Sequence, residues 1–131
     1  MYNRGRNSEV TLVKKLWENG YAALRMPGSG RGQLYPHPDI VAGNGNKYLG
    51  IEVKIRADER CYFKDEDIKK LKEFCNTFGA VPYFAVRFVR RWRFFEVKDL
   101  ERTPNGYRAS FEKGQEFSKM IGEEEDRKSV V

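Results

Sequence analysis

A chain of 131 residues has room for one domain with a modest core. Its 25 Lys and Arg outweigh 19 Asp and Glu, for a formal charge of +6; that excess suits a polyanionic partner, although many small soluble proteins share it. No apolar run nears the ~18 residues of a membrane helix, the opening is too polar for a secretory signal, and two cysteines with one histidine fit zinc poorly.

These features suggest a cytosolic, reduced protein with Cys61 as one lone thiol and Cys75 as the other, one at the surface and one in the core. The charge is uneven. Residues 123–131 hold four acids and two bases, so residues 1–122 carry 23 basic against 15 acidic side chains, or +8. The expected organisation is a domain over 1–122 and a polar, acidic, disordered tail over 123–131.

In chain order, Asn7 or Ser8 is expected to cap a helix ending near Asn19, with Gly20 as its stop. Val10, Val13, Leu16 and Trp17 fall at helical spacing and should face the core. Glu9 lies off that stripe, free to reach the rim of the helix; an acid in a first turn is also favoured by the helix dipole alone. Tyr21 to Met26 reads as a strand, followed by a glycine-rich loop, PGSGRGQ, that lacks the spacing of a nucleotide-binding loop. No nucleotide cofactor is expected.

The segment PDIVAGNGNKYLGIEVKI reads as two strands joined at Asn44-Gly45-Asn46. A two-residue turn pairs either 43 with 46 or 44 with 47. In both registers Asp39 shares a face with Glu52, opposite it or one diagonal away, and Lys54 follows two residues on. Ile40, Ala42, Ile51, Val53 and Ile55 share the other face and suit a core. A three-residue turn would break this parity. Two neighbouring carboxylates repel, and a divalent cation is the usual remedy. Hard oxygen donors suit magnesium, with manganese as a substitute. A lysine beside such a cation can orient water and stabilise charge on a phosphate. His37 stands next to Pro38-Asp39, but magnesium rarely recruits imidazole, and a loop histidine is the better reading.

Beyond the hairpin, Asp65 should cap a helix through Phe78, with Ile68, Leu71, Phe74 and Cys75 on one face and Gly79 at its end. Val81 to Val89 and Trp92 to Val97 read as strands, with Arg90-Arg91 turning between them. Arg87, Arg90, Arg91 and Arg93 interleave with Phe84, Phe88, Trp92, Phe94 and Phe95; core plus a subunit contact is favoured over base stacking. Helix, mixed sheet, helix and two more strands make an α/β fold.

The pattern Pro38-Asp39…Glu52-Val53-Lys54 resembles the PD-(D/E)xK nuclease signature. Together with YNRGRNSEVTLVKKLWENGYAALRMPGSG, PDIVAGNGNKYLGIEVK and WRFFEV, it makes residues 2–110 similar to the archaeal Holliday junction resolvases. That family's N-terminal signature, a basic residue, a glycine and a helical glutamate, is met by Arg4, Gly5 and Glu9, and its loop serine by Ser29.

The resemblance implies a restriction-endonuclease-like α/β core with a central mixed sheet flanked by helices. It also implies a magnesium-dependent homodimer that nicks four-way junction DNA. Glu9, Ser29, Asp39, Glu52 and Lys54 would be catalytic, with Glu9, Asp39, Glu52 and the Val53 carbonyl on the metal. Arg4, Gly5, Arg6, Arg25, Arg31 and Arg56 would flank the site and track the DNA backbone. A silent DNA-binding subunit and a nuclease for another DNA structure are the competing readings.

Overall fold

The protein was studied as a computed structural model, which describes residues 4–27 and 35–122. Helix α1 (Arg4–Glu18) leads into strands β1 (Ala22–Arg25), β2 (Ile40–Gly43), β3 (Tyr48–Arg56) and β4 (Arg60–Lys64). Helix α2 (Asp65–Phe78) then precedes β5 (Val81–Phe88), β6 (Arg91–Phe95), β7 (Glu101–Thr103), β8 (Gly106–Ser110) and a short α3 (Phe117–Met120). A five-stranded sheet has the order β1-β2-β3-β5-β6, and a three-stranded sheet has the order β4-β8-β7. Strands β3 and β5 run parallel, and the remaining neighbours in the large sheet are antiparallel, so the central sheet is mixed.

Each face of the large sheet has its own core. On one, Leu12 and Leu16 of α1 meet Ala23, Ile40, Ala42, Ile51, Val53, Tyr83 and Ala85. On the other, Ile68, Leu71 and Cys75 of α2 join Cys61, Phe63 and Ala109 of the small sheet against Phe84, Val86, Phe88 and Phe95. Strand β5 is therefore covered on both sides, which is why VPYFAVRF is continuously apolar up to Arg87. Helix α2 comes close to β3 because Gly50 has no side chain: a Cβ there would overlap Cys75 Sγ.

The structure corrects several sequence expectations. Helix α1 starts at Arg4, so neither Asn7 nor Ser8 caps it; Ser8 is fully buried and accepts a hydrogen bond from Arg87 Nη1 at 2.9 Å. The inward stripe is Ser8, Leu12 and Leu16 with half-buried Val13, whereas Val10 and Trp17 are exposed. Trp17 instead donates its indole N–H to the Ala23 carbonyl at 3.0 Å. Cys61 and Cys75 are both buried, so neither is a surface thiol. Asp65 is the first residue of α2 rather than its cap, and Asp67 accepts the Lys64 N–H at 3.0 Å. The turn before β6 is Val89-Arg90, and Phe84, Phe88, Phe94 and Phe95 are all buried inside the single chain.

Among the described residues no helix is long and apolar enough to cross a membrane. The acidic segment 123–131 lies outside them.

Candidate active site

The β2–β3 turn decides the site. Asn44 N–H donates to the Lys47 carbonyl at 3.1 Å, and Asn44 Oδ1 accepts the N–H groups of Asn46 and Lys47 at 2.8 and 2.7 Å. The loop proper is Gly45-Asn46, and Gly45 supplies the left-handed backbone (φ 92°) that the turn demands. Register follows: Gly43 pairs Tyr48, Ala42 pairs Leu49 and Ile40 pairs Ile51. The ladder stops there, at a bend at Asp39, whose carboxylate bonds to the Val53 N–H and lies close enough to repel Glu52. The two-residue turn carries Ile40, Ala42, Ile51 and Val53 to one buried face, as the parity argument required.

Pro38 does not continue the ladder: its ring lies against Gly50, on the side of Cys75. The Val53 N–H donates to the Asp39 side chain, Oδ2 at 2.8 Å. Asp39 is held by its own backbone as well, since its carbonyl accepts the Met26 N–H at 2.8 Å. The Asp39 carboxylate is therefore fixed just before the start of β2.

Burial dominates the electrostatics. It pushes the Glu52 carboxyl up to about 8, with Asp39 the next cause, Lys54 opposing, and Asp67 and Glu9 adding smaller repulsions. Burial also raises Asp39, against the Val53 N–H, Lys54, His37 and Arg25. These are two half-buried carboxyls that cannot comfortably ionise together, with an ammonium on the same face. His37 acts on Asp39 through space while its Nδ1 lies 2.9 Å from the Pro38 carbonyl. It is a loop residue, as expected, two positions before Asp39.

Glu9 arrives from α1. Its carboxyl is raised by burial and by Asp39, and is drawn down by Arg25, whose Nε lies 3.1 Å from Oε1. Arg25 pairs with Ile40 across β1–β2, beside Asp39. An arginine expected to track DNA is therefore the partner that holds Glu9, a pairing across 16 residues that no local pattern reveals. Among the described residues, no three His, Cys, Asp or Glu side chains are gathered closely enough to hold a metal ion.

The donors brought together are the carboxyls of Asp39 and Glu52, with Glu9 adjacent. This hard-oxygen set of raised carboxyls fits a divalent cation, whose charge would remove the repulsion. Arg6 is exposed on α1, Gly5 is half-buried beside it, and Arg56 ends β3 with Nη1 on the Ile55 carbonyl. Arg4 opens α1. Ser29 and Arg31 lie outside the described residues.

A family model described as archaeal Holliday junction resolvase (Hjc) matches residues 1–129. The chain belongs to that family. Crossover junction endodeoxyribonuclease Hjc of Archaeoglobus fulgidus is 40% identical to this Hjc-family chain over 93% of it and 92% of the relative. The Hjc of Sulfurisphaera tokodaii is 29% identical over 91% and 86%. The solved structure of Archaeoglobus fulgidus Hjc, a Holliday junction resolvase, superposes with a TM-score of 0.84 at 39% identity, covering 90% of this chain and all of that one. The mixed sheet flanked by helices is thus the restriction-endonuclease-like fold of the family.

Proposed function

We propose that this chain is an endonuclease that resolves four-way DNA junctions by paired, metal-dependent phosphodiester hydrolysis. The observation that carries the reading is the Asp39 carboxylate, held by the Val53 N–H, set close enough to a buried Glu52 to repel it. Asp39, Glu52 and the Val53 carbonyl would hold the cation, with Glu9 completing the set directly or through water. When bound, a divalent cation supplies a nucleophilic water and Lewis-acid polarisation of the phosphate.

The remaining tasks fall to the chain. Lys54, on the face of Glu52, places a positive charge against the phosphate and orients the attacking water. Glu9, steadied by Arg25, fixes that water from the opposite side. Ser29 contributes from the loop after β1, and Arg4, Gly5, Arg6, Arg31 and Arg56 line the approach of the backbone. The oxygen-rich donor set favours Mg²⁺, with Mn²⁺ able to substitute. Two nicks in a substrate of approximate two-fold symmetry call for two copies, so the working unit is a homodimer. It works in the cytoplasm, beside the genome.

End-labelled four-way junction and duplex of the same sequences, each with Mg²⁺ or EDTA, test this. Symmetric nicks on the junction alone, and only with metal, are expected. Equal cutting of duplex would favour a different nuclease, and binding without cutting in any metal would favour a silent architectural protein.

A further inference from the structure

The tip of the β5–β6 hairpin carries a residue that packing does not explain. Phe88 pairs with Arg91, so the turn is Val89-Arg90. Val89 has φ 61° and is the single non-glycine with positive φ among the described residues. A two-residue hairpin with positive φ at its first central position alone follows the II′ pattern, in which that position belongs to glycine. A β-branched side chain there is a true outlier, and such outliers gather at functional sites.

The Val89 N–H does donate to the Arg56 carbonyl at 2.9 Å, but glycine would make the same bond. Nor does the side chain bury anything: Val89 is 60% exposed. An apolar group is held out in solvent in an unfavourable backbone.

Its surroundings are cationic. Arg90 and Arg91 are exposed beside it, and the guanidinium carbons of Arg91 and Arg93 lie 4.0 and 4.2 Å from the Phe111 ring centroid. Stacking on one ring stiffens two long side chains, and Glu116 pairs with Arg93 while leaving Arg91 aside. Arg56, the last residue of β3, adds another positive charge. The tip is also in line with Lys54, which stands two residues beyond Glu52 on β3. Lys54 pairs with Val86 across β3–β5, so Val89 lies three residues further, roughly 10 Å along the sheet. That is about the axial rise of three nucleotides in one strand.

We propose that this hairpin tip is a wedge for the branch point of the junction. Val89 enters where base stacking is interrupted, and Arg90 and Arg91 hold the flanking phosphates. Apolar wedges set among arginines are a recurring way of opening a base step, and a branch point is where that opening meets least resistance. This inference rests on the resolvase reading and adds to it the element that recognises the branch.

The test uses a four-way junction with 2-aminopurine at the branch, in EDTA so that nothing is cut. The full-length protein should brighten the probe as the base unstacks. Val89→Gly relieves the turn, so its melting temperature should hold or rise; it should lose the fluorescence change and bind the junction about tenfold more weakly, with duplex affinity unchanged. Arg90→Gln should lower the slope of log affinity against log salt by about 0.9. Retained brightening and junction affinity in Val89→Gly, or no brightening by wild type despite tight junction binding, would overturn the wedge. A wild type with no preference for junction over duplex would instead overturn the resolvase reading beneath it.

Discussion

Glu52 links protonation to stability and, in the proposed site, to cation binding. Its folded carboxyl sits near 8, against an ordinary value of 4.5. Between those limits the folded state binds more protons than the unfolded one, so stability falls as pH rises from about 4.5 toward 8. The contribution is present at acid pH and lost through the neutral range. Thermal unfolding in EDTA should therefore show a melting temperature that declines across this window. Glu52→Gln should flatten that decline, because a neutral amide has nothing to ionise. A divalent cation should reverse it in the wild type by stabilising the ionised pair, and its binding near pH 7 should release protons to the buffer. A pH profile unchanged by Glu52→Gln would show that the burial attributed to this carboxyl is wrong.

Arg25 offers a second check at this scale. Removing its charge leaves Glu9 half-buried beside Asp39 without its counter-ion. Arg25→Gln should slow cleavage by roughly tenfold to a hundredfold with junction affinity reduced less than tenfold, as expected for a residue that positions another. An affinity loss as large as the rate loss would return Arg25 to a purely DNA-tracking role.

At the scale of elements, the hairpin was legible and much of its support was not. Period-two alternation and an Asn-Gly turn sufficed to place Ile40, Ala42, Ile51 and Val53 on one buried face, because one misplaced residue in the turn would have exposed Ile40 and Ile51. Helix α1 was harder. Its apolar residues Val10, Val13, Leu16 and Trp17 suggested a stripe, yet Leu12 and Leu16 occupy the core and Trp17 reaches over to cap an edge carbonyl. The small sheet was missed although its signals are present. Cys61 and Phe63 alternate inward in β4, and Thr103 pairs with Gly106 across a Pro104-Asn105 turn. Strands of three to five residues give too short a period to stand out.

What no local pattern contains is the approach of α2 to β3 over Gly50. Gly50→Ala should cost about 1–3 kcal/mol by overpacking against Cys75. Cys75→Ala should recover part of that loss in a double-mutant cycle, and additive losses in denaturant unfolding would show that the two positions do not touch.

For the molecule as a whole, two faces of one sheet have separate tasks. The face toward α1 is an apolar platform, while the opposite face presents Glu52 and Lys54 at the edge of the second core. The proposed chemistry would stand on Glu52 and Lys54 of a central strand, with Asp39 at the bend before β2 and Glu9 brought in from a helix. The family assignment rests on nearly the whole chain, so this scaffold is read as a unit rather than as a motif in isolation.

The proposed paired nicks would call for two such scaffolds. Light scattering after size exclusion should give about twice the 15.3 kDa chain mass. A monomer that still makes paired nicks would remove the need for symmetry.

The most direct measurement compares single-turnover junction cleavage in Mg²⁺ by wild type, Asp39→Asn and Glu52→Gln, with junction affinity followed in parallel. Each substitution should lower the rate on the order of a thousandfold or more while affinity stays within a few-fold, because only the cation site is lost. Cleavage within tenfold of wild type by either variant, with binding intact, would contradict the assignment of catalysis to the Asp39–Glu52 pair.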